Sequence, residues 1–222
     1  MAANHIGGVG FADLNIVHDV ADAQRTTQTL QRAVDLGYDC VAVNIDIGQL
    51  THELLPEVDA ETASAFDAPP AQKKKKRQKR QIMKAIPEPY LVDEKQLNLS
   101  ALVAVGKRFR QYSRLSASVD HADYVHGFLR HNTVQQYDII ALNPVTEQCL
   151  NTLAYKGDAV DLLFFESNQR VQWLHRGKQL KHAIDMGISV ELCYSGALFD
   201  SVTRTQFFAN ARQLLAQTRR AK

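Results

Sequence analysis

Phe11-Ala12-Asp13-Leu14-Asn15-Ile16, near the start of the chain, and Ala183-Ile184-Asp185-Met186-Gly187-Ile188-Ser189-Val190-Glu191-Leu192-Cys193-Tyr194-Ser195, near its end, carry the reading of the fold. The first is a short strand of the buried type that closes on polar residues. The second is a helix end, a glycine stop and another strand closing on Tyr194 and Ser195. Strand, helix, glycine and strand in that order make units of a parallel βα array. Between the two segments the alternation continues. A helix is predicted from Asp22 to Leu36, with Leu30, Ala33 and Val34 on one face, and Gly37 stops it. Asp39 to Ile45 follows as a strand nearly continuous in Val, Ala and Ile, the pattern of a strand covered by helices.

Further along, Leu97–Val105 reads as helix, Tyr112–Val119 as strand three and His121–Arg130 as helix. Tyr137–Leu142 is strand four, closed by Asn143-Pro144, and Val145–Leu153 the next helix. Val160–Phe165 is strand five, Leu174–Met186 a helix and Ile188–Tyr194 strand six. Thr203–Arg219 is the last helix, with apolar Phe207, Phe208, Ala211, Leu214 and Leu215. Glu57 to Pro89 breaks the rhythm with alanines, prolines and a run of cations, so about 57–89 reads as a disordered basic insertion in a single barrel-like domain spanning 1–222. A closed (β/α) barrel takes about eight strands. Six are legible here, so the expectation is a TIM-barrel-like α/β barrel shortened at its C-terminal side.

With 222 residues, 45% of them hydrophobic, the chain can fill a sizeable core. No run approaches the roughly 20 apolar residues of a membrane helix, and the N-terminus lacks the pattern of a signal peptide, so a cytoplasmic or nuclear protein without a membrane is expected. Cys40, Cys149 and Cys193 are odd in number and far apart, each in an apolar stretch, which points to buried reduced thiols. The net charge of +2 conceals an asymmetry. Lys73, Lys74, Lys75, Lys76, Arg77, Lys79 and Arg80 cluster in the insertion, leaving 19 basic against 24 acidic residues elsewhere. A mildly acidic body does not grip RNA with its whole surface. The run itself suits phosphate contacts or nuclear import. Lys107, Arg108, Arg110 and Arg114, interleaved with Phe109 and Tyr112, form a second candidate, in which arginines meet phosphates and rings stack on bases.

In a parallel barrel, functional groups gather at the C-terminal ends of strands. Asp13 and Asn15 lie within strand one; Asp46, Asp120, Asn143, Glu166 and Ser195 follow strands two to six. Carboxylates in such a ring suit a hard cation. Polar residues there also meet water and cap the following helix, their ordinary role, and no metal is expected. His121, His126 and His131 recur every five residues, which turns successive rings around a helix instead of stacking them, so solvated or partly buried histidines are expected. There is no phosphate-binding glycine loop, no Gly-x-Ser-x-Gly elbow and no Cys-x-x-Cys pair.

The two framing segments resemble the thirty-kilodalton protein subunit family of ribonuclease P and ribonuclease MRP, which begins its barrel with Phe-Ala-Asp-Leu and carries an Ala-Ile-Asp-x-Gly helix end before a Glu-Leu-x-Tyr-Ser type strand. Leu36-Gly37-Tyr38, Val41-Ala42-Val43-Asn44, Arg114-Leu115-Ser116, Tyr137-Asp138-Ile139-Ile140-Ala141 and Val160-Asp161-Leu162 extend the similarity in order. The family's barrel is related to polymerase-and-histidinol-phosphatase-type barrels, whose metal-dependent members open with His-x-His; here that strand carries Asp13 and Asn15. The resemblance thus implies a non-catalytic subunit without cofactor, in a nuclear and nucleolar ribonucleoprotein whose RNA removes the 5′ leader of precursor tRNA. It also implies a small α/β protein partner, the ribonuclease P or MRP RNA, and precursor tRNA indirectly. A stand-alone metal-dependent phosphoesterase using Asp13, Asp46 and Glu166 is the alternative. A small-molecule-binding barrel with no RNA connection is a third.

Overall fold

The computed structural model describes residues 11–51, 54, 85–165, 170–171, 174 and 177–218. Among the described residues six parallel strands run in chain order across one sheet: β1 (Phe11–Val17), β2 (Tyr38–Gln49), β3 (Arg110–Val119), β4 (Ile139–Pro144), β5 (Leu162–Phe164) and β6 (Ser189–Glu191). The helices are α1 (Ala23–Asp35), α2 (Ser100–Ala104), α3 (Ala122–Leu129), α4 (Glu147–Leu153), α5 (Gly177–Asp185) and α6 (Ser201–Thr218). Local chemistry sets their ends. The Asp22 carboxylate accepts from the Arg25 amide at 3.1 Å to cap α1, and Gly37 takes φ +91° to turn the chain into β2.

The sheet is strongly curled. If it were flat, β1 and β6 would lie about 24 Å apart, five strand spacings. Instead one guanidinium nitrogen of Arg114 on β3 donates to the Leu14 carbonyl of β1 at 2.8 Å and to Glu191 of β6 at 2.9 Å. Alternation along the strands then sorts the side chains. Val41, Val43, Leu115, Ala117, Leu142 and Leu163 face the helices in two clusters that include Leu30 and Val34 of α1, Phe128 of α3 and Leu150 of α4. Ala42, Ile139, Ala141 and Leu162 form a smaller apolar group with Leu14, Tyr112 and Phe164 on the concave face. In β1 a register irregularity between Asp13 and Ile16 lets Leu14 join the concave group while Ile16 packs beside α1.

At the N-terminal ends of three strands an aspartate ties neighbours together. Asp39 holds Lys107 at 3.5 Å and Arg110 at 3.8 Å. Asp138 accepts from both the amide and the hydroxyl of Ser113 at 2.8 Å, and Asp161 accepts from the Ile140 amide at 2.9 Å. This rim is where a parallel barrel invests in stability rather than chemistry.

Several boundaries differ from the sequence reading. β2 continues beyond Ile45 to Gln49, through a register shift that contains Gly48 at φ +69°, so Asp46 sits inside the strand and not after it. Asn143 likewise belongs to β4. β6 keeps three residues, since its neighbour β5 offers only three to pair with. The basic run, with most of 57–89, lies outside the described residues. Residues 85–89 do not fit a disordered insertion: Ile86 is buried in the larger core, and the Pro87 carbonyl accepts from the Tyr137 hydroxyl at 2.8 Å. Prolines favour extended chain that needs no ladder, which leaves that carbonyl free to dock. Burial, with the charge of Glu88 second, pushes the Tyr137 phenol far above its usual range. Tyr137→Phe is expected to cost about 1 kcal/mol in urea unfolding, the Pro87 carbonyl losing its donor.

Candidate functional site

The concave face is polar at its centre. Arg114 is buried, and its guanidinium clasps Glu191 with two bonds of 2.9 and 2.7 Å, Leu14 with a third and the Ser116 hydroxyl with a fourth at 3.0 Å. The Phe164 ring lies 5.9 Å from the guanidinium carbon. A bidentate carboxylate is the natural partner of this planar fork. Arg114 is therefore not a surface cation for RNA, as its sequence neighbourhood suggested. It braces the first, third and sixth strands from within. Its partner Glu191 was quoted as part of the closing strand, but no sequence signal links two residues 77 positions apart.

The polar residues predicted within or after the strands are taken up by bonds to neighbouring backbone and side chains, Asp13 opposite Val41 in the N-terminal half of β1 and the others further along. Asp13 accepts from the Asn15 amide at 3.0 Å, and the Asn15 side-chain oxygen accepts from Asn44 at 2.7 Å. Asp46 turns back on the Gly48 amide at 2.8 Å. Asp120 accepts from Gln49, and Asn143 donates to the Ser118 hydroxyl at 3.2 Å. Ser195 opens a 3₁₀ turn, and Glu166 lies outside the described residues. Sequence reasoning missed His18 and Asp19 just beyond β1. His18 stacks on Tyr90 with centroids 4.0 Å apart and bonds Thr26 at 3.0 Å, and burial holds its pKa below the ordinary value against the opposing pull of Asp19. Among the described residues, no three of His, Cys, Asp and Glu come together as a metal set. His121 and His126 are exposed, and His131 accepts from the Thr133 amide at 3.2 Å.

The second basic candidate divides. Lys107 and Arg110 pair with Asp39, and Arg108 is exposed. Phe109 is buried beside α1 and Tyr112 packs on the concave face, so neither ring is presented for stacking on a base. Cys40 and Cys149 are buried, and Cys193 is partly so. Burial, then the Glu191 charge at 3.6 Å, pushes the Cys193 thiol from 9.0 up to about 12. Because that pKa is raised on folding, the contribution is intact below pH 9 and stability declines as the pH rises from there toward 12. The urea midpoint of the protein is expected to fall across this window, and to fall less steeply in Cys193→Ala. At pH 8 iodoacetamide is expected to leave Cys193 unmodified by mass spectrometry, since the thiolate is the nucleophile.

Residues 10–222 match the family model described as RNase P subunit p30. The chain belongs to that family. Within the RNase P subunit p30 family the curated relatives include Protein GAMETOPHYTE DEFECTIVE 1 of Arabidopsis thaliana, 32% identical over 112 residues, which are 50% of this chain and 19% of that protein. The Ribonuclease P/MRP protein subunit RPP1 of Saccharomyces cerevisiae is 31% identical over 108 residues, 49% of this chain and 36% of that one. The matched region thus spans well under half of either relative. A chain of the cryo-EM structure of archaeal Ribonuclease P with mature tRNA overlays 95% of this chain and 70% of its own length, with a TM-score of 0.49 and 10% identity.

Proposed function

We propose that the chain is a non-catalytic protein subunit of the ribonuclease P and MRP ribonucleoproteins, supporting removal of the 5′ leader of precursor tRNA by the RNA component. Membership of the RNase P subunit p30 family over residues 10–222 carries this reading. The geometry agrees with it. The charged pair on the concave face, Arg114 with Glu191, braces strands, and Asp13 and Asp46 accept from backbone amides two residues further along their own strands. In this reading the chain works in the nucleus and nucleolus and pairs with a small α/β subunit. Lys73–Lys76, Arg77, Lys79, Arg80, Arg108 and Arg110 are its candidates for RNA contact or nuclear import.

The test is purification of the tagged chain from its own cells at moderate salt, sequencing of the RNA that comes with it, and assay of precursor-tRNA cleavage. One or two abundant structured RNAs, with 5′-leader cleavage that nuclease treatment destroys, are expected. Absence of RNA, together with metal-stimulated phosphodiester hydrolysis by the chain alone that Asp13→Ala abolishes, would sink this reading in favour of a phosphoesterase.

A further inference from the structure

The last helix, α6, is apolar on more than its buried side. Ala211 and Leu214 are buried, Leu214 in the larger core, yet Phe208 is 57% exposed and Leu215 45%. Just before the helix Leu198 and Phe199 stand open as well, Phe199 to 87%. Large apolar side chains gathered on a surface mark a place where something docks. The charges beside them are ordered. Asp200, Arg204, Phe208 and Arg212 recur at every fourth position, all exposed, and so form one ridge along α6. The head of this ridge is held in place: the Asp200 carboxylate accepts from the Thr203 amide at 2.7 Å and the Thr203 hydroxyl at 2.6 Å, the Asp200 carbonyl accepts from the Arg204 amide at 3.1 Å, and Arg204 Nε donates to the Ala197 carbonyl at 2.9 Å. Arg212, at the far end, forms no ion pair among the described residues, and α6 itself contains no Asp or Glu that could supply one.

We propose that two copies of the chain pair through this ridge about a two-fold axis, with α6 antiparallel to the partner's α6. Reversed end for end, the row is its own complement. Asp200 meets the partner's Arg212, Arg204 lies over the ring of the partner's Phe208, and each contact occurs twice, as an interface between identical surfaces requires. Ridges of residues four apart, packed on one another, are the commonest way for two helices to meet. The same register sets Leu215 against the partner's 3₁₀ turn, beside the exposed partner's Leu198 and the partner's Phe199. A stable contact takes about 800 Å² from each copy. At roughly 150–250 Å² for a whole aromatic side chain, the open parts of Phe199 and Phe208 supply about a third of that. An acidic helix of another protein, or the phosphates of RNA, would answer Arg204 and Arg212 but would set like charge against Asp200 in the same row. The pairing does not depend on the ribonucleoprotein reading.

Sedimentation equilibrium of the full chain over a concentration series tests the pairing. The mass is expected to rise from 24.9 kDa to twice that value. Arg212→Glu sets a carboxylate against the partner's Asp200, and Phe208→Lys sets an ammonium against the partner's Arg204. Each is expected to raise the dissociation constant at least about tenfold, the effect of like charges brought together across an interface. Phe208→Glu places a carboxylate beside that arginine instead and is expected to lose less than Phe208→Lys. Far-ultraviolet circular dichroism of the three variants checks that they fold, which substitution at exposed positions permits. A chain that stays at 24.9 kDa up to its solubility limit overturns the pairing and leaves the face to another protein or to RNA. A dimer indifferent to Arg212→Glu and Phe208→Lys overturns this ridge as its seat. Growth to larger assemblies also overturns it, because a closed two-fold contact stops at two copies. Equal loss in Phe208→Glu and Phe208→Lys overturns the register.

Discussion

Glu191→Ala is expected to destabilise the protein by about 3–5 kcal/mol, the cost of leaving a buried charge without its counter-charge. The Arg114 side chain is 1% exposed and that of Glu191 22%, so truncation strands a guanidinium where water does not reach. Leu14 and Ser116 still accept from it, but neither carries charge. Chemical denaturation reads the loss directly, and Glu191→Gln should lose less because the amide oxygen still accepts one of the two bonds. The double change Arg114→Met with Glu191→Leu should recover most of the deficit, since replacing a whole buried pair with apolar residues is often neutral. A Glu191→Ala protein within about 1 kcal/mol of the parent, the range of a surface ion pair, would mean that the clasp contributes no more than such a pair.

Gly157→Ala is the second large effect, expected at about 1–3 kcal/mol through overpacking. A Cβ at this position would stand 2.2 Å from the Met186 carbonyl oxygen and 3.0 Å from its carbonyl carbon. The obstacle is backbone, and it immediately precedes Gly187 at φ +92°, so it has little freedom to retreat. The turn after α4 and the turn after α5 meet here, each leading into one of the two shortest strands. A melting temperature lowered by about 2–4 °C for each kcal/mol is the expected readout for a chain of this size. Gly177→Ala is a useful contrast: its Cβ would meet the Gln217 side chain alone, the far end of which can rotate away while the Gln217 Cβ at 2.9 Å requires a small shift of α6.

Element type and order were legible because period and punctuation agree along the chain. Leu30, Ala33 and Val34 mark the face of α1, Gly37 ends it, and Val41 to Ile45 can only be a covered strand. What escaped the reading has a common physical origin in contacts distant along the chain. β2 appeared to stop at Ile45 because the apolar run stops, yet Asp46 and Gln49 still pair with Ser116 and Ser118. Pro87-Glu88-Pro89 read as loose chain because prolines cannot join a ladder, while Tyr137, about 50 residues on, supplies the donor that docks it. Arg114 sat among cations and rings in sequence and lies among Leu14, Ser116 and Glu191 in space. Of the positions expected after strands, Asp46 and Asn143 lie inside β2 and β4, because pairing with Ser116 and Ser118 carries both strands past the end of their apolar runs.

A sheet whose strands follow chain order interacts as nearest neighbours only, the condition under which a linear array frays from its ends. Arg114 changes that arithmetic. By joining β1, β3 and β6 through one side chain it couples both terminal strands to the middle, so detaching either one also exposes a charge at the centre. Backbone amides of the short β6 should therefore exchange hydrogen with solvent as slowly as those of the long β2 next to β1, and together with them, as one cooperative unit.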